Sequence, residues 1–226
     1  MEAGQRSSRQ RCEAVEDEPL DGGMVHVVDD DDALRSALIR LIRSAGLEAM
    51  GHYRAAELRE AVGKSRPQCI ILDMRLESEN GLTVQKALLG DGSTVPIIFL
   101  TGFGTIPMTV QAMRAGAAEF LTKPVDDDVL LQAIGRALEH DRDTLRRQQC
   151  QNDLEVRLAT LTDREREVMQ LAIGGLMNKQ IAGELGTTEI TAKVHKRRVM
   201  EKMAARSLPD LVRMAERLGV RAAKSR

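Results

Sequence analysis

Its 226 residues, 42% apolar and 30% charged, give the chain room for two compact domains of ordinary globular make-up. No apolar run reaches the length of a membrane span and the N-terminus lacks the apolar core of a secretory leader, so no membrane partner and a cytoplasmic location are expected. The net charge of −1 conceals a division: from Thr160 onward 14 Lys and Arg outnumber 8 Asp and Glu, whereas before it 19 oppose 26, the pattern of an acidic cation-binding or regulatory module carrying a nucleic-acid binder.

In chain order, residues 1–22 are polar and mixed in charge, with too little apolar surface to fold, and are expected to be a disordered tail. A β-branched strand, Met24–Val28, then ends in Asp29-Asp30-Asp31-Asp32. Ala33, Leu34, Leu38, Leu41 and Ile42 follow at helical spacing and stop near Gly46. Leu47–Met50 reads as a weak second strand and Tyr53–Val62 as a second helix. Ile70-Ile71-Leu72-Asp73 is the third strand, three large apolar residues running into a carboxylate, as suits a parallel strand buried on both faces. Leu82–Leu89 makes the next helix, and Pro96–Leu100 a fourth strand ending at Thr101-Gly102. Met108–Ala115 is helical, Glu119–Leu121 is a short fifth strand before Thr122-Lys123-Pro124, and a helix runs from about Asp126 to His140.

Five strands alternating with five helices predict an α/β fold, a doubly wound, flavodoxin-like five-stranded parallel sheet. With no Trp, one Tyr and three Phe, its core must come from Leu, Ile, Val, Met and Ala. Cys12, Cys69 and Cys150 are too dispersed for a disulfide framework or a zinc site, and Cys69 reads as a small core residue. Past Leu138 the chain stays helix-compatible but turns highly polar, which marks a helical linker over 141–160.

The last part is predicted to be a small all-α domain. Thr162-Asp163-Arg164-Glu165 is a capping box ahead of Val168, Leu171 and Ala172. Asn178 can cap a second helix bearing Ile181, Ala182 and Leu185, and Gly186-Thr187-Thr188 turns into a third that runs through Met203. Ser207 opens a fourth. Two short helices joined by a glycine-containing turn are a helix-turn-helix. The third helix carries Lys193, Lys196, Arg197, Arg198 and Lys202 around a seam of Ile190, Val194, Val199 and Met203, charges that suit phosphate contacts.

The strand ends share one chemistry. Asp29, Asp30, Asp73, Thr101 and Lys123 all fall at the carboxyl edge of the predicted sheet, where doubly wound folds bind ligands. Three carboxylates in one pocket call for a cation, and an all-oxygen donor set suits Mg²⁺, with Mn²⁺ as an alternative. A nearby Lys and hydroxyl can hold the oxygens of a phosphoryl group, which leaves Asp73 as the candidate nucleophile for an acyl phosphate.

Val28-Asp29-Asp30, the Asp73 strand, Thr101-Gly102 and Lys123-Pro124 together resemble the receiver domain of two-component response regulators, from residue 24 to about 140. The resemblance implies that Asp73 is phosphorylated by a histidine kinase. It implies that Asp30, Asp73 and the main-chain carbonyl of Arg75 hold Mg²⁺, with Asp29 acting through water. It further implies that Thr101 and Lys123 contact the phosphoryl group, that Lys123-Pro124 is a cis peptide and that Phe120 is the switch aromatic. One departure is Glu77, where the family usually has proline; Glu77 and Glu79 add negative charge beside the pocket.

The stretch Leu161-Thr162-x-Arg164-Glu165, Gly175-x-x-Asn178-Lys179 and Thr191-x-Lys193-x-His195 resembles the LuxR-type helix-turn-helix. Together the two halves are similar to the FixJ/NarL response regulators, and Thr101-Gly102-x-Gly104 with Pro107-Met108 to the FixJ branch. By that resemblance Lys193, Val194 and Arg197 face the DNA groove, Lys179 and Thr191 its backbone, and Leu208, Leu211 and Val212 on the last helix form a dimer contact. The expected organisation is a tail over 1–22, a receiver over 23–140, a linker over 141–160 and a DNA-binding domain over 161–226. The expected partners are a histidine kinase, promoter DNA and, on activation, a second copy of the chain. Two rivals differ in class: a phosphotransferase or phosphatase, and a DNA binder whose receiver is only a dimerising scaffold. An enzyme acting on any phosphate but its own is not expected.

Overall fold

The computed structural model describes residues 23–62, 67–77, 79–102 and 105–223. The expected tail over 1–22, Cys12 and Gly104 lie outside them. The chain divides into two compact units between Arg146 and Arg147.

In the first unit, strands β1 (Met24–Val28), β2 (Glu48–His52), β3 (Gln68–Asp73), β4 (Ile97–Thr101) and β5 (Glu119–Thr122) form one parallel sheet in the order β2-β1-β3-β4-β5. Helices α1 (Asp32–Ser44), α2 (Ala55–Ala61), α3 (Gly81–Gly90), α4 (Ile106–Arg114) and α5 (Asp127–Ala159) alternate with the strands. Because side chains alternate across a strand, each strand feeds two cores. Val25, Val27, Cys69, Ile71, Ile98 and Leu100 face Leu38 and Ile42 of α1 and Leu130, Ile134 and Leu138 of α5. Val28, Ile70, Leu72, Ile97 and Phe99 face Leu58, Val84, Leu88 and Ala112 of α2–α4. Double coverage is why these strands read as unbroken apolar runs.

Most differences from the predicted elements are at their ends. β2 begins and ends later than expected because it pairs residue for residue with β1, from Met24↔Glu48 to Val28↔His52. Asp31 caps α1 by accepting the N–H groups of Ala33 and Leu34. The polar stretch after His140 continues α5 without a break to Ala159. On that stretch Asp141 is buried and accepts the N–H of Gln68 at 2.8 Å, tying α5 to the start of β3.

The second unit contains α6 (Asp163–Ile173), α7 (Asn178–Glu184), α8 (Glu189–Met203) and α9 (Leu208–Arg217). Their core joins Val168, Met169, Leu171, Ile181, Val199, Met203 and Leu211. The predicted capping box at Thr162 and Glu165 is present with both hydrogen bonds, and Thr188 and Ser207 cap α8 and α9. Asn178 does not cap α7: it is the first helical residue, and Gln180 instead accepts the N–H of Met177 at 2.8 Å.

Candidate functional site

The strand order places β1 beside β3 while the chain departs from them to opposite sides, so a crevice opens where their carboxyl ends lie together. Asp29 and Asp30 follow β1 and Asp73 ends β3. Each offers a carboxylate oxygen, all within 4.8 Å of one another. Lys123, just past β5, reaches into the same space. Its Nζ donates to Asp29 Oδ2 at 2.8 Å and to Asp73 Oδ2 at 2.6 Å. The other oxygens are held by the main chain: Asp29 Oδ1 by the N–H of Asp31, Asp73 Oδ1 by that of Arg75 and Asp30 Oδ2 by that of Glu77.

This arrangement brings together Asp29, Asp30, Asp73 and Lys123. Burial alone lowers the Lys123 pKa, but its bonds to Asp29 and Asp73 outweigh that and the net shift is upward, so the ammonium stays charged. Three carboxylates within one small volume, one of them buried, and no nitrogen or sulfur ligand among the clustered groups fit a hard divalent cation such as Mg²⁺. Thr101 is buried at the end of β4, and its carbonyl accepts the N–H of Lys123 at 2.7 Å. The Lys123-Pro124 bond is cis. Phe120 is half-buried, its ring 6.2 Å from that of Phe99.

Residues the sequence reading did not assign to the pocket also border it. Arg35 donates to the carbonyl of Asp29 and pairs with Asp32, and its guanidinium lies 5.7 Å from the Tyr53 ring centre. The Tyr53 hydroxyl donates to Glu77 Oε2 at 2.6 Å. Neither residue follows a spacing that would mark it in sequence: Arg35 comes from α1, and Tyr53 from the turn after β2.

In the second unit, α8 turns Lys193, Val194, Arg197 and Arg198 outward, with Lys196 half-buried. Two members of the predicted apolar seam do not belong to it: Ile190 is 77% and Val194 44% exposed, while Ala192, Val199 and Met203 fill the core. Arg197 pairs with Glu201 one turn on at 2.7 Å. Lys179 is exposed on α7, and half-buried Thr191 sits in the first turn of α8, its hydroxyl 2.9 Å from that of Thr188. Lys202 points the other way, donating at 2.6 Å to buried Glu165. That bond and the N–H of Thr162 hold the Glu165 carboxyl below the usual range. Leu211 departs from its expected place in a dimer contact: it is fully buried in the unit's own core, whereas Leu208 and Val212 are half-exposed.

Residues 25–135 match the family described as response regulator receiver domain, and residues 159–215 that described as bacterial regulatory proteins, luxR family. Among similar proteins, nodulation protein W of Bradyrhizobium diazoefficiens is 46% identical, with 88% of each chain covered. The transcriptional regulatory protein FixJ of Azorhizobium caulinodans is 40% identical over 87% of this chain and 93% of its own. Among solved structures, response regulator StyR aligns with a TM-score of 0.80 at 44% identity, covering 86% of this chain and 98% of its own.

Proposed function

Because the chain belongs to the response regulators that join a receiver domain to a LuxR-type regulatory domain, we propose that it is a transcription regulator switched by phosphorylation of Asp73. The observation that carries this reading is the convergence of Asp29, Asp30 and Asp73 on the Lys123 ammonium at the carboxyl edge of the sheet. A carboxylate oxygen of Asp73 attacks the phosphorus of a phosphohistidine on the kinase. The P–N bond breaks as the O–P bond forms, and the imidazole leaves as a neutral base once it has taken up a proton. Asp30, Asp73 and the Arg75 carbonyl would hold Mg²⁺ (or Mn²⁺), with Asp29 beside them, and the ion would supply the charge that lets a phosphoryl group approach three carboxylates.

Lys123 gives up its bonds to Asp29 and Asp73 and turns to the phosphoryl oxygens. The Thr101 hydroxyl closes on the same group, and Phe120 re-seats beside it. The surface of α4 and β5 then shifts to a dimerising form, a population shift between two packings. The receiver spans 23–140, the continuation of α5 over 141–160 serves as the linker, and 161–226 binds promoter DNA. Lys193, Val194 and Arg197 meet the major groove, and Lys179 and Thr191 the phosphates. Leu208 and Val212 supply the contact between DNA-bound copies. The reactivity is confined to the chain's own aspartate, and the location is cytoplasmic.

The test is the molar mass in solution with Mg²⁺, before and after beryllofluoride, with the same samples titrated against promoter DNA. A monomer that becomes a dimer and binds DNA more tightly, with Asp73→Asn unresponsive, is the expected result. A mass and affinity indifferent to beryllofluoride would overturn it.

A further inference from the structure

The loop after β3 carries a residue that changes what the pocket can do. Where the receiver resemblance implies proline, this chain has Glu77, and the difference is more than one of charge. Proline has no N–H. Here the N–H of Glu77 donates to Asp30 Oδ2 at 2.8 Å. The side chain of the same residue accepts the Tyr53 hydroxyl at 2.6 Å.

Tyr53 is itself anchored. Its N–H donates to Glu57 at 3.2 Å, and the guanidinium groups of Arg35 and Arg54 lie 5.7 and 5.8 Å from its ring centre. The hydrogen bond to Glu77 and that residue's charge hold the phenol above its usual pKa, so it remains a donor at neutral pH. A continuous path therefore runs from the turn after β2, through the Tyr53 hydroxyl and Glu77, to one oxygen of Asp30. That N–H fixes the orientation of the Asp30 carboxylate, one oxygen of which lies within 4.8 Å of oxygens of Asp29 and Asp73.

We propose that Tyr53 and Glu77 form a clasp across the mouth of the acidic pocket, in which Tyr53 is a positioning residue that orients Asp30 for the divalent cation. The inference rests on reading the pocket as a Mg²⁺-assisted phosphoryl site. It assigns a role to the chain's single tyrosine and to its departure at Glu77.

The test is Mg²⁺ affinity of the full chain, measured by calorimetry without any phosphodonor. Tyr53→Phe keeps the ring and removes the hydroxyl, so affinity should fall by about threefold to tenfold, as for one hydrogen bond to a charged group at a partly exposed site. Glu77→Ala should fall at least as far, and the double variant no further than Glu77→Ala, because both changes break one link. Glu77→Gln retains the N–H and an acceptor for Tyr53 and should stay within about twofold of the parent; if charge alone mattered, it would match Glu77→Ala.

With no tryptophan in the chain, Tyr53 is also the sole strong fluorophore. Its emission, quenched by the hydrogen-bonded carboxylate, should rise in Glu77→Ala and respond to Mg²⁺ in the parent. Parent-like affinity in Tyr53→Phe, or losses that add in the double variant, would overturn the clasp and leave the pocket reading intact. A parent chain that does not bind Mg²⁺, or binds it equally well as Asp73→Asn, would overturn both.

Discussion

Replacing Glu165 by Gln should destabilise the second unit by about 1–2 kcal/mol at neutral pH. Glu165 is 3% exposed, and its carboxylate takes two hydrogen bonds, from Lys202 Nζ at 2.6 Å and from the N–H of Thr162 at 2.9 Å. Glutamine can still accept from Thr162, so the helix cap survives. What is lost is the charge-assisted bond, worth about 1.5–3 kcal/mol when a partner is left behind. The Lys202 side chain is 36% exposed and regains water, which places the cost in the lower part of that range. In a unit of this size about 1 kcal/mol moves the midpoint by roughly 4–8 °C, so a fall of about 5–15 °C is expected.

The pH dependence has a fixed sign. Lys202 and Thr162 lower the folded-state pKa of Glu165, so its contribution is complete above the unfolded value of about 4.3 and is lost as pH falls through the folded value. Scanning calorimetry of the full chain from pH 8 to pH 3 should show parent and Glu165→Gln separated at neutrality and converging in acid. A separation that persists unchanged at pH 3, or one below 1 °C at pH 7, would refute the argument.

Asp141 has the opposite sign: burial raises its pKa against the smaller lowering effects of the Gln68 N–H and His140, so it favours folding below an unfolded value of about 3.9 and loses that as pH rises through the folded value. Asp141→Asn should therefore equal or exceed the parent in urea denaturation at pH 7, whereas Asp141→Leu strands the N–H of Gln68 and should cost about 1–3 kcal/mol. Gly81→Ala would set a Cβ 2.6 Å from the Asp73 carbonyl oxygen and 3.2 Å from Met74 Cα, backbone atoms that cannot turn aside. Its expected cost is about 1–3 kcal/mol in urea denaturation, with weaker Mg²⁺ binding because Asp73 must move. Lys123→Met leaves Asp29 and Asp73 without their ammonium, so its thermal midpoint in EDTA should fall below the parent's, and saturating Mg²⁺ should raise it by more than it raises the parent's.

Much of this was legible because it depends on period and strand ends. Buried parallel strands announce themselves as apolar runs, and Asp29, Asp30, Asp73, Thr101 and Lys123 fall where those runs stop. The capping box at Thr162 was legible for the same reason, being a local rule. What sequence could not supply was pairing between distant segments. The Tyr53–Glu77 bond spans 24 positions and the Asp141–Gln68 bond 73, and neither has a spacing rule. The face of a short basic helix was equally illegible. Ile190 and Val194 satisfy an apolar seam by count, yet α8 packs through Ala192, Val199 and Met203 and turns the other two outward.

The charges in the pocket bear on how such a switch can work. Three carboxylates and one ammonium leave two negative charges uncompensated, the charge of one divalent cation. On the proposed reading, a phosphoryl group on Asp73 then competes with Asp29 for the same ammonium, two of whose three N–H donors are already spent on Asp29 and Asp73. On that reading activation exchanges partners at Lys123, and Asp29, buried beside it, is compensated from elsewhere. Arg35 donates to the main-chain carbonyl of Asp29, not to its carboxylate, and pairs with Asp32. The compensation falls to the cation, so a pocket built this way couples phosphorylation to metal occupancy. Any residue that orients Asp30 toward that cation, as Tyr53 and Glu77 do here, sets how strong the coupling is.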